Sequence, residues 1–140
     1  MLRYLAFDVG ERRIGVAVSD ALGITAQGVE TYTRTGDEQA DAAYLRALAE
    51  KFRPVRLVFG LPRNMDGSCG FQADAVKAFA AVVLSGWDGE SDFCDERMTT
   101  LSANRVLLEG DVRRDKRKGV VDKLAAVFIL EHYMLSHPIR

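Results

Sequence analysis

The hydrophobic positions of this chain follow two regimes. Short apolar runs cut by turn residues dominate the first third, and helical spacing takes over later. Tyr4–Val9 is an apolar run that ends at Gly10 and reads as a buried strand. Ile14–Ser19 is rich in β residues and alternates, so it pairs with the first run as a hairpin across a turn at Gly10–Arg13. Ile24–Thr33 predicts a third strand, whose alternating Val29, Thr31 and Thr33 suit an exposed edge. Thr35-Gly36-Asp37 then punctuates the chain.

From Glu38 to Phe52 the pattern turns helical, with Ala40, Tyr44, Leu45, Leu48, Ala49 and Phe52 on one stripe. Asp37 and Glu38 suit the positive end of that helix, Lys51 and Arg53 the negative end, and Pro54 stops it. Val55–Gly60 predicts a fourth strand and Leu61–Gly70 a loop. Phe71–Leu84 predicts a helix with Ala75, Val76, Phe79, Ala80, Val83 and Leu84 on its stripe, followed by a turn at Ser85–Gly89. Ser91–Glu96 reads as a fifth strand, and Thr99–Glu109 as a helix capped by Thr99 or Thr100. Gly110–Lys118 reads as a charged loop. Gly119–Ser136 is the last helix, with Val120, Val121, Leu124, Ala125, Phe128 and Tyr133 at helical spacing.

Three leading strands, then strands alternating with helices, predict an α/β fold. Its mixed sheet is antiparallel at first and parallel later, with helices on its faces. A length of 140 residues fits a single domain over 1–140, and no repeat or linker divides it.

Composition narrows the function classes. With 48% hydrophobic and 28% charged residues the chain can build a core. A formal net charge of −1 argues against holding nucleic acid by bulk charge, while leaving room for a local basic patch. Cys69 and Cys94 form no CxxC pair, which disfavours a disulfide framework or zinc knuckle and fits a reducing cytosol. The N-terminal run is interrupted by Asp8 too soon for a signal peptide, and no apolar run approaches the ~20 residues of a membrane span. The expected location is the cytoplasm, with no membrane partner.

Three carboxylates stand out by position. Asp8 closes the first strand, a costly place for a charge. Glu96 ends the fifth strand beside Asp95. Asp122 lies early in the last helix, and its neighbours Ala125, Ala126 and Ile129 on the same stripe are small or apolar, so it looks toward the sheet. In α/β sheets sites form beyond the carboxyl ends of the strands. Converging carboxylates repel one another unless a divalent cation joins them, and hard oxygen ligands select Mg²⁺ or Mn²⁺. Two such ions ~4 Å apart can activate a water and stabilise the leaving oxygen of a phosphodiester. The alternative is that Asp122 caps its own helix while Asp95 and Glu96 are solvated.

Basic residues surround these acids. Arg12 and Arg13 follow Asp8, Arg97 follows Glu96, and Lys123 follows Asp122. Arg113, Arg114, Lys116, Arg117 and Lys118, broken only by Asp115, lead into the last helix and suit sequence-independent phosphate contacts. The loop LPRNMDGSCG has no Walker pattern, and its Ser68 and Cys69 lack a nearby histidine. His132 and His137 have no ligand or carboxylate spacing around them and read as surface residues.

DVGERRIGVAVSD, GLPRNMDGSCG, DERMTT with Ala103, and KGVVDKLAAVFIL occur in this order over nearly the whole chain. Together they resemble the YqgF family, small bacterial relatives of the Holliday-junction resolvases. The resemblance implies an RNase H-like fold: a five-stranded mixed sheet, its first three strands antiparallel, with helices on both faces. It implies metal-dependent hydrolysis of phosphodiester bonds, in 5′-end processing of precursor 16S ribosomal RNA or in cutting branched DNA. Asp8, Glu96 and Asp122 match the family's acids and would hold Mg²⁺ or Mn²⁺. Asp95 also matches the pattern and stays open as the ligand in place of Glu96. Arg97 and Thr99 match positions near the site. Larger resolvases carry a fourth acid where Ala125 stands here, a departure that weakens direct transfer of junction resolution.

The expected partners are RNA or branched DNA and precursor ribosomal particles, bound by a monomer or a homodimer. Two rivals remain. The DVG signature also opens nucleotide-binding phosphotransferases of the actin and hexokinase kind, but those need two such lobes. The other rival is a nucleic-acid-binding module that cleaves nothing.

Overall fold

A computed structural model of the chain describes residues 2–20, 24–61, 71–95 and 114–137; for 71, 95 and 114–122 it describes the backbone only. The elements are β1 (Arg3–Val9), β2 (Arg13–Ser19), β3 (Ala26–Thr33), α1 (Glu38–Glu50), β4 (Val55–Leu61), α2 (Phe71–Leu84), β5 (Glu90–Asp95) and α3 (Arg114–Ser136). The five strands lie in the order β3-β2-β1-β4-β5. β1 pairs antiparallel with β2 and β2 with β3, whereas β4 runs parallel to β1 and β5 to β4. The expected mixed sheet is therefore the one formed.

Local chemistry explains the turns. The Gly10 N–H donates to the Arg13 carbonyl at 2.9 Å, closing the hairpin. A Cβ on Gly10 would stand 2.8 Å from that same carbonyl oxygen, so the turn accepts only glycine. Asp37 caps α1, its side chain accepting from the N–H groups of Gln39 and Ala40. β4 returns parallel to β1 because α1 makes the crossover.

The period-two alternation sends the strand side chains into two cores. Leu5, Phe7, Ile14, Val16, Leu57, Phe59 and Leu61 pack with α1 and α2. Tyr4, Ala6, Ala17, Val58 and Cys94 pack on the other face with Ala126, Ile129, Leu130 and Tyr133 of α3. β1 and β4 are covered on both sides, which is why they read as nearly continuous apolar runs.

Four elements depart from the sequence expectation. β3 begins at Ala26, because the N–H groups of Ile24 and Thr25 donate to the Asp20 carboxylate (2.7 and 3.1 Å) in a local turn. In α1, Ala40 and Tyr44 are exposed, whereas Asp41 and Ala42 are buried with Leu45, Leu48 and Ala49. The stripe is rotated because Asp41 has hydrogen-bonding partners that make its burial tolerable, described below. In α2 the inward position is Ala73 rather than Ala75. The last departure is at the start of α3: Arg114–Lys118, expected to belong to a charged loop, are already helical and form its first turns. Arginine and lysine are good helix formers, and a glycine such as Gly119 costs a helix only about 1 kcal/mol relative to alanine. The helix expected over Thr99–Glu109 lies outside the described residues. Among the described residues no helix is long and apolar enough to cross a membrane.

Candidate active site

Asp8 stands near the carboxyl end of the central strand, half-buried. It follows Tyr4 and Ala6 on the sheet face that α3 covers. Its register partner on β2 is Gly15, and Gly15 in turn pairs with Thr31 of β3. On the β4 side, Gly60 shares the face of Val58 and pairs with Cys94. Both strands that flank β1 thus carry a glycine at the level of this site. Arg13 precedes Gly15 by two residues and so shares Asp8's face, opposite Thr33 of β3. Arg12 is exposed in the hairpin turn, lining a cleft with Glu11, Thr33, Arg34, Thr35 and Gly36.

Helix α3 crosses this face, packing on β1, β2 and β3. Asp122 lies within it, and the residues three, four and seven positions on, Ala125, Ala126 and Ile129, are all fully buried. Ala125, Ala126 and Ile129 thus lie on the stripe of α3 that meets the sheet. Lys123 drapes its methylene stem over Gly28: a Cβ there would stand 2.6 Å from Lys123 Cγ and 2.8 Å from Cδ. Gly28 adjoins a β-bulge, where the register slips between the pairs Val16–Glu30 and Ala17–Gly28.

Glu96, Arg97, Thr99 and Arg113 lie outside the described residues, as do Ser68 and Cys69. Arg114, Lys116, Arg117 and Lys118 fall in the first turns of α3. Among the described residues no group of three or more His, Cys, Asp or Glu is placed to hold a metal ion. Cys94 is buried, its thiol donating to the Ile129 carbonyl at 3.7 Å. His132 is exposed, as expected. His137 is exposed too, yet it stacks on Tyr133 at 4.0 Å and its Nε2 lies 3.9 Å from Asp92 Oδ2, a carboxylate neighbour that sequence spacing does not reveal.

A second group of polar side chains, unmarked by the sequence reading, lies behind the hairpin turn. Asp41 has no exposed surface. Its Oδ1 accepts from the Tyr32 hydroxyl (2.8 Å), the Thr35 N–H (3.0 Å) and the Thr35 hydroxyl (3.0 Å), and its Oδ2 from Arg34 Nε (3.3 Å). Burial alone would raise its pKa. The Thr35 N–H, the Tyr32 and Thr35 hydroxyls and Arg34 outweigh that effect and hold the carboxyl below its ordinary value. In return the Tyr32 phenol, bonded to Asp41 and half-buried, is pushed up to about 12. The spacing test that singles out Asp122 also applies here, since Leu45, Leu48 and Ala49 follow Asp41 at helical intervals.

A mixed sheet in this order, with helices on both faces and an acid near the end of its central strand, has the RNase H-like architecture. A family model described as "RuvX: Holliday junction resolvase" matches residues 2–136, and the chain belongs to that family. It is the same family that the four sequence motifs resemble. The chain is 46% identical over 135 residues to a protein of Clostridium acetobutylicum, covering 96% of this chain and 99% of that one. It is 47% identical over 133 residues to one of Heliobacterium modesticaldum, covering 95% and 89%. A protein of Halalkalibacterium halodurans is 47% identical over 134 residues, covering 95% and 96%. All three carry the name "Putative pre-16S rRNA nuclease". Among solved structures, "T. thermophilus RuvC in complex with Holliday junction substrate" is similar with a TM-score of 0.51 at 15% identity, over 98% of this chain and 97% of that one, a likeness of fold.

Proposed function

We propose that this protein is a metal-dependent nuclease that hydrolyses phosphodiester bonds in 5′-end processing of precursor 16S ribosomal RNA. The observation that carries this reading is the setting of Asp8. It is an acid near the end of the central strand, with Gly15 opposite, on the face crossed by the helix that contains Asp122. The name shared by the relatives supports the substrate.

Asp8, Glu96 and Asp122 would hold the metal, with Asp95 as the alternative to Glu96. The donor set fits: carboxylate oxygens are hard ligands that suit Mg²⁺ or Mn²⁺, and glycines stand at the level of Asp8 on both flanking strands. When bound, such a cation supplies acidity to an attacking water and charge for the leaving oxygen. The chain's own residues do the rest. Arg13, on Asp8's face, and Arg12, in the turn, draw in phosphate oxygens beside the acid. Lys123 reaches out from a stem seated on Gly28 and adds a third cation. Arg97 serves the same end from beside Glu96. Arg113, Arg114, Lys116, Arg117 and Lys118 guide the strand by contacts that read no bases. The enzyme works in the cytoplasm, on precursor ribosomal particles, as a monomer or homodimer.

Branched DNA is the second reading, favoured by the family's description as a Holliday junction resolvase. The deciding experiment offers the purified protein, with Mn²⁺, an RNA bearing the 16S precursor 5′ end and a four-way DNA junction in parallel. Cleavage of the RNA at its mature end supports the first reading. Symmetric cleavage of the junction alone supports the second. No cleavage of either, with no Mn²⁺ binding, refutes both.

A further inference from the structure

We infer that Arg34, held by buried Asp41, is a positioning residue for the nuclease reaction: it fixes from behind the turn that follows Asp8. The inference rests on the proposed nuclease function and adds a residue that no motif marks.

Two hydrogen bonds from Arg34 end in that turn. Its backbone N–H donates to the Arg12 carbonyl at 2.8 Å, and its Nη1 donates to the Gly10 carbonyl at 2.9 Å. With the Gly10 N–H bonded to the Arg13 carbonyl, the backbone from Gly10 to Arg13 is tied at three points. Gly10 lies two residues after Asp8, and Arg12 is one of the proposed phosphate contacts.

Arg34 is itself held from three sides. Its Nε meets Asp41 Oδ2 at 3.3 Å, its guanidinium carbon lies 4.5 Å from the centre of the Phe79 ring, and its backbone continues β3. Asp41 belongs to α1, and Phe79 to α2 and the core beneath it. Asp41 is in turn fixed by Tyr32 and Thr35. A continuous set of contacts thus runs from both helices on one face of the sheet to the turn at its edge. Asp8 belongs to the other face. Arg34 therefore acts on Asp8 and Arg12 through the backbone between them, while its guanidinium is engaged on the side away from Asp8.

The chemistry needs arginine. One planar guanidinium meets a carboxylate through Nε and a carbonyl through Nη1 while stacking on a ring. A lysine ammonium can replace the charge beside Asp41 but cannot keep all three contacts.

The test compares wild type, Arg34→Ala, Arg34→Lys and Asp8→Asn on whichever substrate the wild type cleaves, at a temperature where each variant is folded by circular dichroism. Mn²⁺ affinity is measured in parallel by calorimetry. Displacing an acid slightly from its working position predicts a kcat loss of about 100-fold for Arg34→Ala. KM should rise less than about threefold, because Arg12 is only one of several proposed phosphate contacts and the others are untouched. Arg34→Lys should fall between the two, and it remains informative if Arg34→Ala does not fold, since it keeps a cation beside Asp41. Weakened Mn²⁺ binding in the arginine variants would further support the inference. Wild-type kcat in folded Arg34→Lys and Arg34→Ala overturns it, as does a raised KM with kcat unchanged, which would make Arg34 a substrate contact. Both results leave the nuclease reading standing. A wild type that neither binds Mn²⁺ nor cleaves removes that reading and this inference together.

Discussion

The Lys123 stem lies across Gly28, so a single missing side chain on edge strand β3 lets α3 settle on the sheet. The contact is close enough that even a methyl group at Gly28 would overlap Lys123 Cγ and Cδ. It sets the seat of the helix one residue away from Asp122. Gly28→Ala should therefore destabilise the fold by about 1–3 kcal/mol, the usual cost of overpacking. Combining it with Lys123→Ala, which removes the overlapping atoms, should recover most of that loss. A urea-denaturation double-mutant cycle measures the coupling. Strictly additive losses would show that the two residues do not share the contact.

Gly10 makes a harder demand, because the atom that a Cβ would meet is the Arg13 backbone oxygen at 2.8 Å. No side-chain rotation can relieve that overlap. Gly10→Ala should open the β1–β2 turn, lower the melting temperature and reduce cleavage more than Gly28→Ala does. Equal cleavage by Gly10→Ala and wild type would mean that the turn does not position Asp8.

Asp41 should contribute far more to stability than the exposed ion pairs. Removing one partner of a buried pair costs about 3–5 kcal/mol, whereas exposed, solvent-screened pairs such as Arg53 with Glu50 contribute little. Asp41→Ala should therefore lower stability by about 3–5 kcal/mol, and Glu50→Ala should barely change it. Denaturant titration of both variants checks this contrast.

The same carboxyl gives a pH dependence of definite sign. Burial would raise its pKa, but the Thr35, Tyr32 and Arg34 bonds outweigh burial and leave it lower in the folded than in the unfolded chain. The unfolded chain thus takes up the proton first as the pH falls. The contribution is complete above the unfolded value of about 3.9 and is lost progressively below it, through the folded pKa. Melting temperatures between neutral pH and strong acid should fall more steeply for wild type than for Asp41→Asn. Parallel curves would contradict the assignment.

Much of the fold was legible because its strands are short, apolar and bounded by Gly10, Gly36 and Pro54. β1 and β4 are buried on both faces, so their runs stand out without a partner in view. The start of α3 was not legible, because a run of Arg114, Lys116, Arg117 and Lys118 has the composition of a solvated loop and the propensity of a helix. The position of Asp8 was readable as a charge ending an apolar run. Arg34 was not: it lies just past β3, and its role comes from Gly10, Asp41 and Phe79, which only the folded chain brings to it. The seat of Lys123 was hidden for a like reason, since the bulge that places Gly28 is a matter of strand register.

The central claim is that Asp8 serves the chemistry rather than the fold. The most direct test is the cleavage rate of highly purified Asp8→Asn with Mn²⁺, on the RNA bearing the 16S precursor 5′ end and on the four-way DNA junction, beside its melting temperature. The proposed site predicts loss of cleavage with the fold largely preserved. Undiminished cleavage by Asp8→Asn would contradict it.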